Sequence, residues 1–276
     1  MIRYFAAEAL LPDGWARDVA ITVDVRGDFS AVEVGASRDG AQPLVGPAIP
    51  GMANVHSHAF QRAMAGLTEV RGAPDDDFWT WRELMYRFVA RLTPDQALAI
   101  ARHLYIEMLC SGYTAVGEFH YVHNQPDGSP YGDRAELLLA HLGAARETGI
   151  AVTLLPTLYR WSDFGARPLQ SRQKRFDTDP AAILAMVESA RAVAPDDPDV
   201  RVGIAPHSLR AADPASLAEL VAGITMMDPS APIHLHAAEQ TKEVDDCRAW
   251  SGQRPVEWLL AHLPVDTRWC LVHATH

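Results

Sequence analysis

His56-Ser57-His58 places two imidazoles two residues apart. On an extended strand, residues i and i+2 face the same way, so both rings can grip one cation. The spacing by itself is weak, because a chain with 12 histidines produces it by chance. His236 closes a different apolar run, PIHLHAAE, and adds a third imidazole. Three imidazoles at one rim suit Zn2+ or a similar divalent metal and leave room for a water molecule. Glu239, three residues on from His236, is placed to take a proton from that water. His234 shares the HxH spacing with His236 and reads as an interior histidine supporting the ligands.

Elements that could bring these groups together are visible in six apolar runs, at residues 46–58, 113–120, 151–159, 200–208, 232–239 and 269–276. Most are continuous rather than alternating, as expected of parallel strands covered on both faces. Helical periods over 94–111, 134–148, 179–193 and 214–227 lie between them, several opening on Pro or Asp; Gly149 suits a helix stop. Alternating strands and helices predict a parallel sheet. No GxGxxG turn follows the first run, so a dinucleotide-binding sheet is disfavoured. Polar groups end strand after strand instead: His56 and His58, His120, His207, His236 with Glu239, and His273. Catalytic groups gathered from many strand ends mark the active face of a (β/α)8 barrel.

The expected organisation is therefore α/β. Residues 1–47 read as the N-terminal part of a small β-sandwich and residues 48–276 as a TIM-like barrel. Only six barrel strands can be counted where a closed barrel has eight, so the chain reads as truncated after strand six. Lys and Arg number 24 against 35 Asp and Glu, a formal charge of −11. Such a surface argues against nucleic acid and anionic membrane as partners. No signal peptide or membrane span is legible. Cys110, Cys247 and Cys270 are odd in number and unpaired by spacing, and read as buried reduced thiols in a cytoplasmic protein.

PGMANVHSHAFQRAMAGL, GEFHYVH, APHSLRA, HLHAAEQ and LVHATH together resemble the amidohydrolase superfamily, and within it the N-formimino-L-glutamate deiminases. The resemblance runs from the first strands to the last residue. It implies one zinc ion held by His56, His58 and His236, with an aspartate at the end of an eighth strand beyond residue 276. By the same resemblance Glu239 shuttles a proton from water to the departing nitrogen, and His273 helps to polarise that water. The implied reaction is hydrolytic deimination of N-formimino-L-glutamate to N-formyl-L-glutamate and ammonia, in histidine degradation. Its substrate is a small dianion. Arg82 and Arg210 match the residues that bind its carboxylates, and Gln61, Tyr121 and His207 supply further hydrogen bonds. Arginine suits that task because its planar fork meets a carboxylate through two parallel bonds. A homodimer is the assembly left open.

Other residues read more plainly. His103, His141 and His262 fall in helical periods as surface or packing histidines, and Asp75-Asp76-Asp77 reads as a solvated loop. Trp79, Trp81 and Tyr86 read as core or lid packing, while His120 and His123 stay unassigned. Two alternatives remain: a deaminase of guanine, cytosine, adenosine derivatives or triazines, and a catalytically incomplete fragment. The first would need stacking and amide contacts in place of two arginines.

Overall fold

The computed structural model describes residues 1–68 and 78–276. Asp75, Asp76 and Asp77 lie outside the described residues, as does the side chain of Trp79. Two compact units divide the chain at Met52 and Ala53.

In the first unit, strands β1 (Ile2–Leu11), β2 (Gly14–Val23) and β3 (Phe29–Glu33) pair antiparallel, and β4 (Gln42–Pro43) runs parallel to β1. The β1–β2 turn falls at Pro12-Asp13 before Gly14, whose φ of 112° lies where side chains are disfavoured. The core here is small, built from Ala6, Ala9 and Val19.

The second unit alternates strand and helix. Its strands are β5 (Met52–Ser57, entering from the first unit), β6 (Tyr113–His120), β7 (Ala151–Leu158), β8 (Val200–Val202), β9 (Ala205–Pro206), β10 (Ile233–Ala237) and β11 (Trp269–His273). Neighbours run β5-β6-β7-β8, β9 also pairs β7, and β10 pairs β11 in parallel register. A parallel bridge from Ile204 to Ile233 carries the row from the fourth strand to the fifth. The fourth expected strand is thus split into β8 and β9. Gly203 sits at the break because a Cβ there would lie 2.2 Å from the carbonyl oxygen of Pro232.

Helices α1 (Phe78–Val89), α2 (Pro94–Cys110), α3 (Glu136–Thr148), α4 (Pro180–Val193), α5 (Pro214–Met227), α6 (Thr241–Ser251) and α7 (Pro255–His262) fill the connections, with 3-10 turns at 59–64 and 171–176. Their starts follow from sequence. Thr93 and Gln96 form a reciprocal cap on α2, and Asp179 and Asp213 cap α4 and α5 ahead of Pro180 and Pro214. Each such cap contributes about 1 kcal/mol. Gly149 ends α3 with φ 79°. Cys110 corrects the expectation of buried thiols: it is exposed, because the buried stripe of α2 runs through Ala97, Ala101, Tyr105 and Met108 and leaves it outside. Cys247 is buried and Cys270 half-buried, and all three are free.

The main core lies between sheet and helices. Val116, Leu154, Ile233, Leu235 and Ala237 pack there against Leu142, Ile183, Val187, Leu217 and Leu220. Alternation along β10 then turns His234 and His236 to the opposite face of the sheet. Phe119 and Leu155 face a second cluster with Phe60, Met64, Tyr86 and Tyr121. Among the described residues no helix is long and apolar enough to cross a membrane.

Candidate metal centre and substrate cavity

Three strand ends meet at one point. His56 on β5, His58 just beyond it and His236 on β10 bring their Nε2 atoms together, with separations of 3.1, 3.2 and 3.3 Å. A triangle of those sides has its centre just under ~2 Å from each corner, close to the length of a zinc–imidazole bond. The ring protons are positioned elsewhere. His58 Nδ1–H donates to the carbonyl of Phe119 at 2.8 Å, and His236 Nδ1–H donates to that of His207 at 3.1 Å. Carbonyls only accept, so on both rings the lone pair is left at Nε2 and aimed at the centre.

Burial reinforces this state. Desolvation, then the charges of neighbouring histidines, pushes His56 down to about 3, and burial takes His58 to about 4 and His236 well below its ordinary value. Near neutrality all three are uncharged, as ligands must be. Three converging lone pairs repel one another unless a cation lies between them, so the donor set fits a divalent metal ion. Among the described residues, this is the group of histidines, cysteines and acids that could hold one.

A cavity of about 250 Å³ opens from the triangle, lined by Gln61, Arg82, Tyr121, Tyr159, His207, Arg210, Glu239 and His273 among others. Every residue singled out from the sequence for catalysis or substrate therefore shares one space. Glu239 Oε1 lies 3.9 Å from His273 Nε2, and the His273 ring stacks on His236 with centroids 5.5 Å apart. Gln61 donates to the Tyr121 hydroxyl at 3.0 Å. His207, half-buried, is held well below its ordinary pKa by desolvation and then by the Arg210 charge, and is neutral.

Two partners of Arg82 are not evident in sequence. Its Nε–H donates to the Tyr86 hydroxyl at 2.9 Å and an Nη2–H to that of Tyr159 at 3.3 Å. Tyr86 thus orients a guanidinium as well as packing in the core. Tyr159 could have been suspected from its place at the C-terminal end of an apolar run. A larger cavity of about 540 Å³ shares Arg82, Tyr86 and Arg210 with the first and continues outward past Arg172 and Lys242.

The remaining histidines lie elsewhere. His120, His123 and His141 are buried against one another near Glu118, away from this cavity. His103 lies on the surface of α2, and His262 stacks on Trp258. His234 is buried beside Gly117.

Comparison with known proteins supplies the context for this geometry. Residues 48–276 match the model of the amidohydrolase family. The chain belongs to the amidohydrolase family. Residues 1–44 match the N-terminal domain described for the formimidoylglutamate deiminase HutF. This amidohydrolase is 52% identical to the formimidoylglutamate deiminase of Pseudomonas aeruginosa over 276 residues, all of this chain and 60% of that protein. A 5-methylthioadenosine/S-adenosylhomocysteine deaminase of Natronomonas pharaonis is 31% identical over 76% of the chain and 42% of its own length. The crystal structure of an amidohydrolase from Brucella melitensis superposes with a TM-score of 0.92 at 46% identity, covering 100% of this chain and 60% of that one. The chain thus spans about three fifths of the length of the Pseudomonas and Brucella proteins.

Proposed function

We propose that this amidohydrolase deiminates N-formimino-L-glutamate by hydrolysis, giving N-formyl-L-glutamate and ammonia, with one zinc ion at His56, His58 and His236. The observation that carries the reading is the presence of two guanidinium groups, Arg82 and Arg210, on the same small cavity as the imidazole triangle. A substrate with two carboxylates needs two such forks, and a neutral aromatic base needs neither. The 52% identity to a protein of that name supports it.

A divalent cation held by the imidazoles would supply a Lewis acid that acidifies water towards neutrality. Arg82 and Arg210 hold the carboxylates, while Gln61, Tyr121 and His207 donate or accept around the glutamyl backbone. Glu239, with His273 beside it, takes a proton from the attacking water and returns it to the imino nitrogen. Water oxygen bonds to the formimino carbon and the imino nitrogen becomes an amine; the remaining hydroxyl proton then passes to that amine, the bond from the carbon to it breaks, and ammonia leaves as the formyl carbonyl forms. In the same reading residues 1–47 belong to a small β-sandwich and residues 48–276 supply barrel strands one to six.

The test is ammonia release by the purified zinc-loaded protein from N-formimino-L-glutamate, guanine, cytosine and 5-methylthioadenosine. The expected outcome is turnover of the dianion alone. Preference for a neutral base would overturn the reading in favour of the deaminase that the 31% identical relative is named for.

A further inference from the structure

Glu243 has no part in the machinery assigned above. It lies on α6, four residues after Glu239, and is only 4% exposed. Its Oε2 accepts the backbone N–H of Glu239 at 3.1 Å, and the N–H of Ala238 also acts on this carboxylate. Ala238 has φ 54°, in the left-handed region that residues with a Cβ adopt at a cost. Successive N–H groups at such a residue form a concavity that takes an anion, and here the anion is a side chain of the same molecule. The other oxygen, Oε1, is buried without a hydrogen-bond partner among the described residues, and so is Nε of Arg210. Arg210, Gln240, Lys242 and Glu243 all line the outer cavity. Burial raises the Glu243 carboxyl, and the Arg210 charge opposes that rise.

We propose that Glu243 is a positioning residue: one oxygen locks the left-handed turn at Ala238, which presents Glu239 to the cavity, and its charge, without a direct hydrogen bond, steadies Arg210 on the same cavity wall. The proposal rests on the deiminase reading for the roles of Glu239 and Arg210. It explains why a non-glycine residue keeps a positive φ directly before the proposed proton shuttle. It also joins the group that moves protons to a group that reads charge, through one side chain.

Two variants separate these jobs. Glu243→Gln keeps an oxygen for the Glu239 N–H but removes the charge facing Arg210. Glu243→Ala removes both. Hydrogen–deuterium exchange over residues 237–240 reads the turn without any substrate, and elemental analysis reads bound zinc. Glu243→Ala is expected to speed that exchange about tenfold or more and to lower kcat about 10–100-fold, the scale of a mis-aimed catalytic group, with zinc per chain unchanged. Glu243→Gln is expected to keep exchange and kcat within about threefold of the parent while raising KM severalfold. Adding Ala238→Gly to Glu243→Ala should recover part of the lost kcat, because glycine takes the required φ without an anion to hold it. Parent-like exchange in Glu243→Ala would overturn the proposal, and so would a loss of zinc or a failure of Ala238→Gly to recover any activity. If the parent fails to turn over N-formimino-L-glutamate, the deiminase reading falls, and the exchange measurement alone decides whether Glu243 holds the turn.

Discussion

Glu118 ends up fully buried on β6, where its Oε1 accepts the backbone N–H of Ala59 at 2.8 Å and its Oε2 accepts the Tyr105 hydroxyl at 3.4 Å. Burial outweighs these bonds and pushes its carboxyl up to about 8, while burial takes His141, 3.7 Å away, down to about 4. Near pH 7 the two meet as a neutral acid and a neutral imidazole rather than as an ion pair. The His141 Nδ1–H is directed at the Leu137 carbonyl, so its Nε2 carries a lone pair, which lies near Glu118 but beyond hydrogen-bond reach. Below pH 4.5 both folded and unfolded chains carry that proton; between 4.5 and about 8 only the folded chain does. The stability this group contributes is therefore complete at low pH and is lost as pH rises through about 8. Each pH unit of that interval corresponds to about 1.4 kcal/mol, so the whole interval amounts to at most ~5 kcal/mol. Glu118→Gln mimics the neutral acid at every pH: its oxygen can accept from Ala59 while its amide, in the place of Oε2, can donate to the Tyr105 hydroxyl. The variant should match the parent within about 1 kcal/mol at pH 5 and exceed it by ~2–5 kcal/mol at pH 9. Urea denaturation of both proteins at pH 5, 7 and 9 measures this, and other titrating groups cancel in the difference. Parallel pH profiles would refute the assignment of a neutral Glu118.

His236→Ala should lower zinc affinity by more than the ~10–100-fold typical of losing a group behind a ligand, as read by elemental analysis after dialysis. Full zinc in that variant would remove His236 from the set. Arg82→Met and Arg210→Met should each leave zinc content unchanged and lower kcat/KM by about tenfold to a few hundredfold, the worth of a charge-assisted bond of ~1.5–3 kcal/mol. Gly203→Ala drives a Cβ against the Pro232 carbonyl, a rigid backbone atom, and should cost at least ~2 kcal/mol, seen as a fall of several degrees in Tm.

How much of this was legible depended on whether the physics was local. Helices 94–110 and 214–227 carry their own caps and periods, and β7 is a continuous apolar run, so each can be read to within a residue or so. The break between β8 and β9 cannot, because it arises from an encounter with Pro232 nearly thirty residues on. The histidine triangle is legible because HxH on one strand and a strand-end histidine on another imply a shared rim once the strands are parallel. Tyr86 and Tyr159 are less so: each looks like packing until the guanidinium between them is seen. Glu243 gives no signal at all, since an acid in the first turn of a helix is ordinary until the strained residue it holds is located. The exposure of Cys110 follows from helix phase and could have been worked out from the stripe that ends at Met108.

The imidazoles are fixed by the strands of the parallel sheet, whereas Arg82 belongs to helix α1 and Arg210 to the segment after β9. Under the proposed deiminase reading, one of the two charge-reading groups, Arg82, therefore belongs to a helix apart from the strands that carry the imidazoles. On that reading, changes in the helix can alter which molecule is accepted with the proton-moving end left in place, whereas the segment after β9 also carries the His207 carbonyl that orients His236.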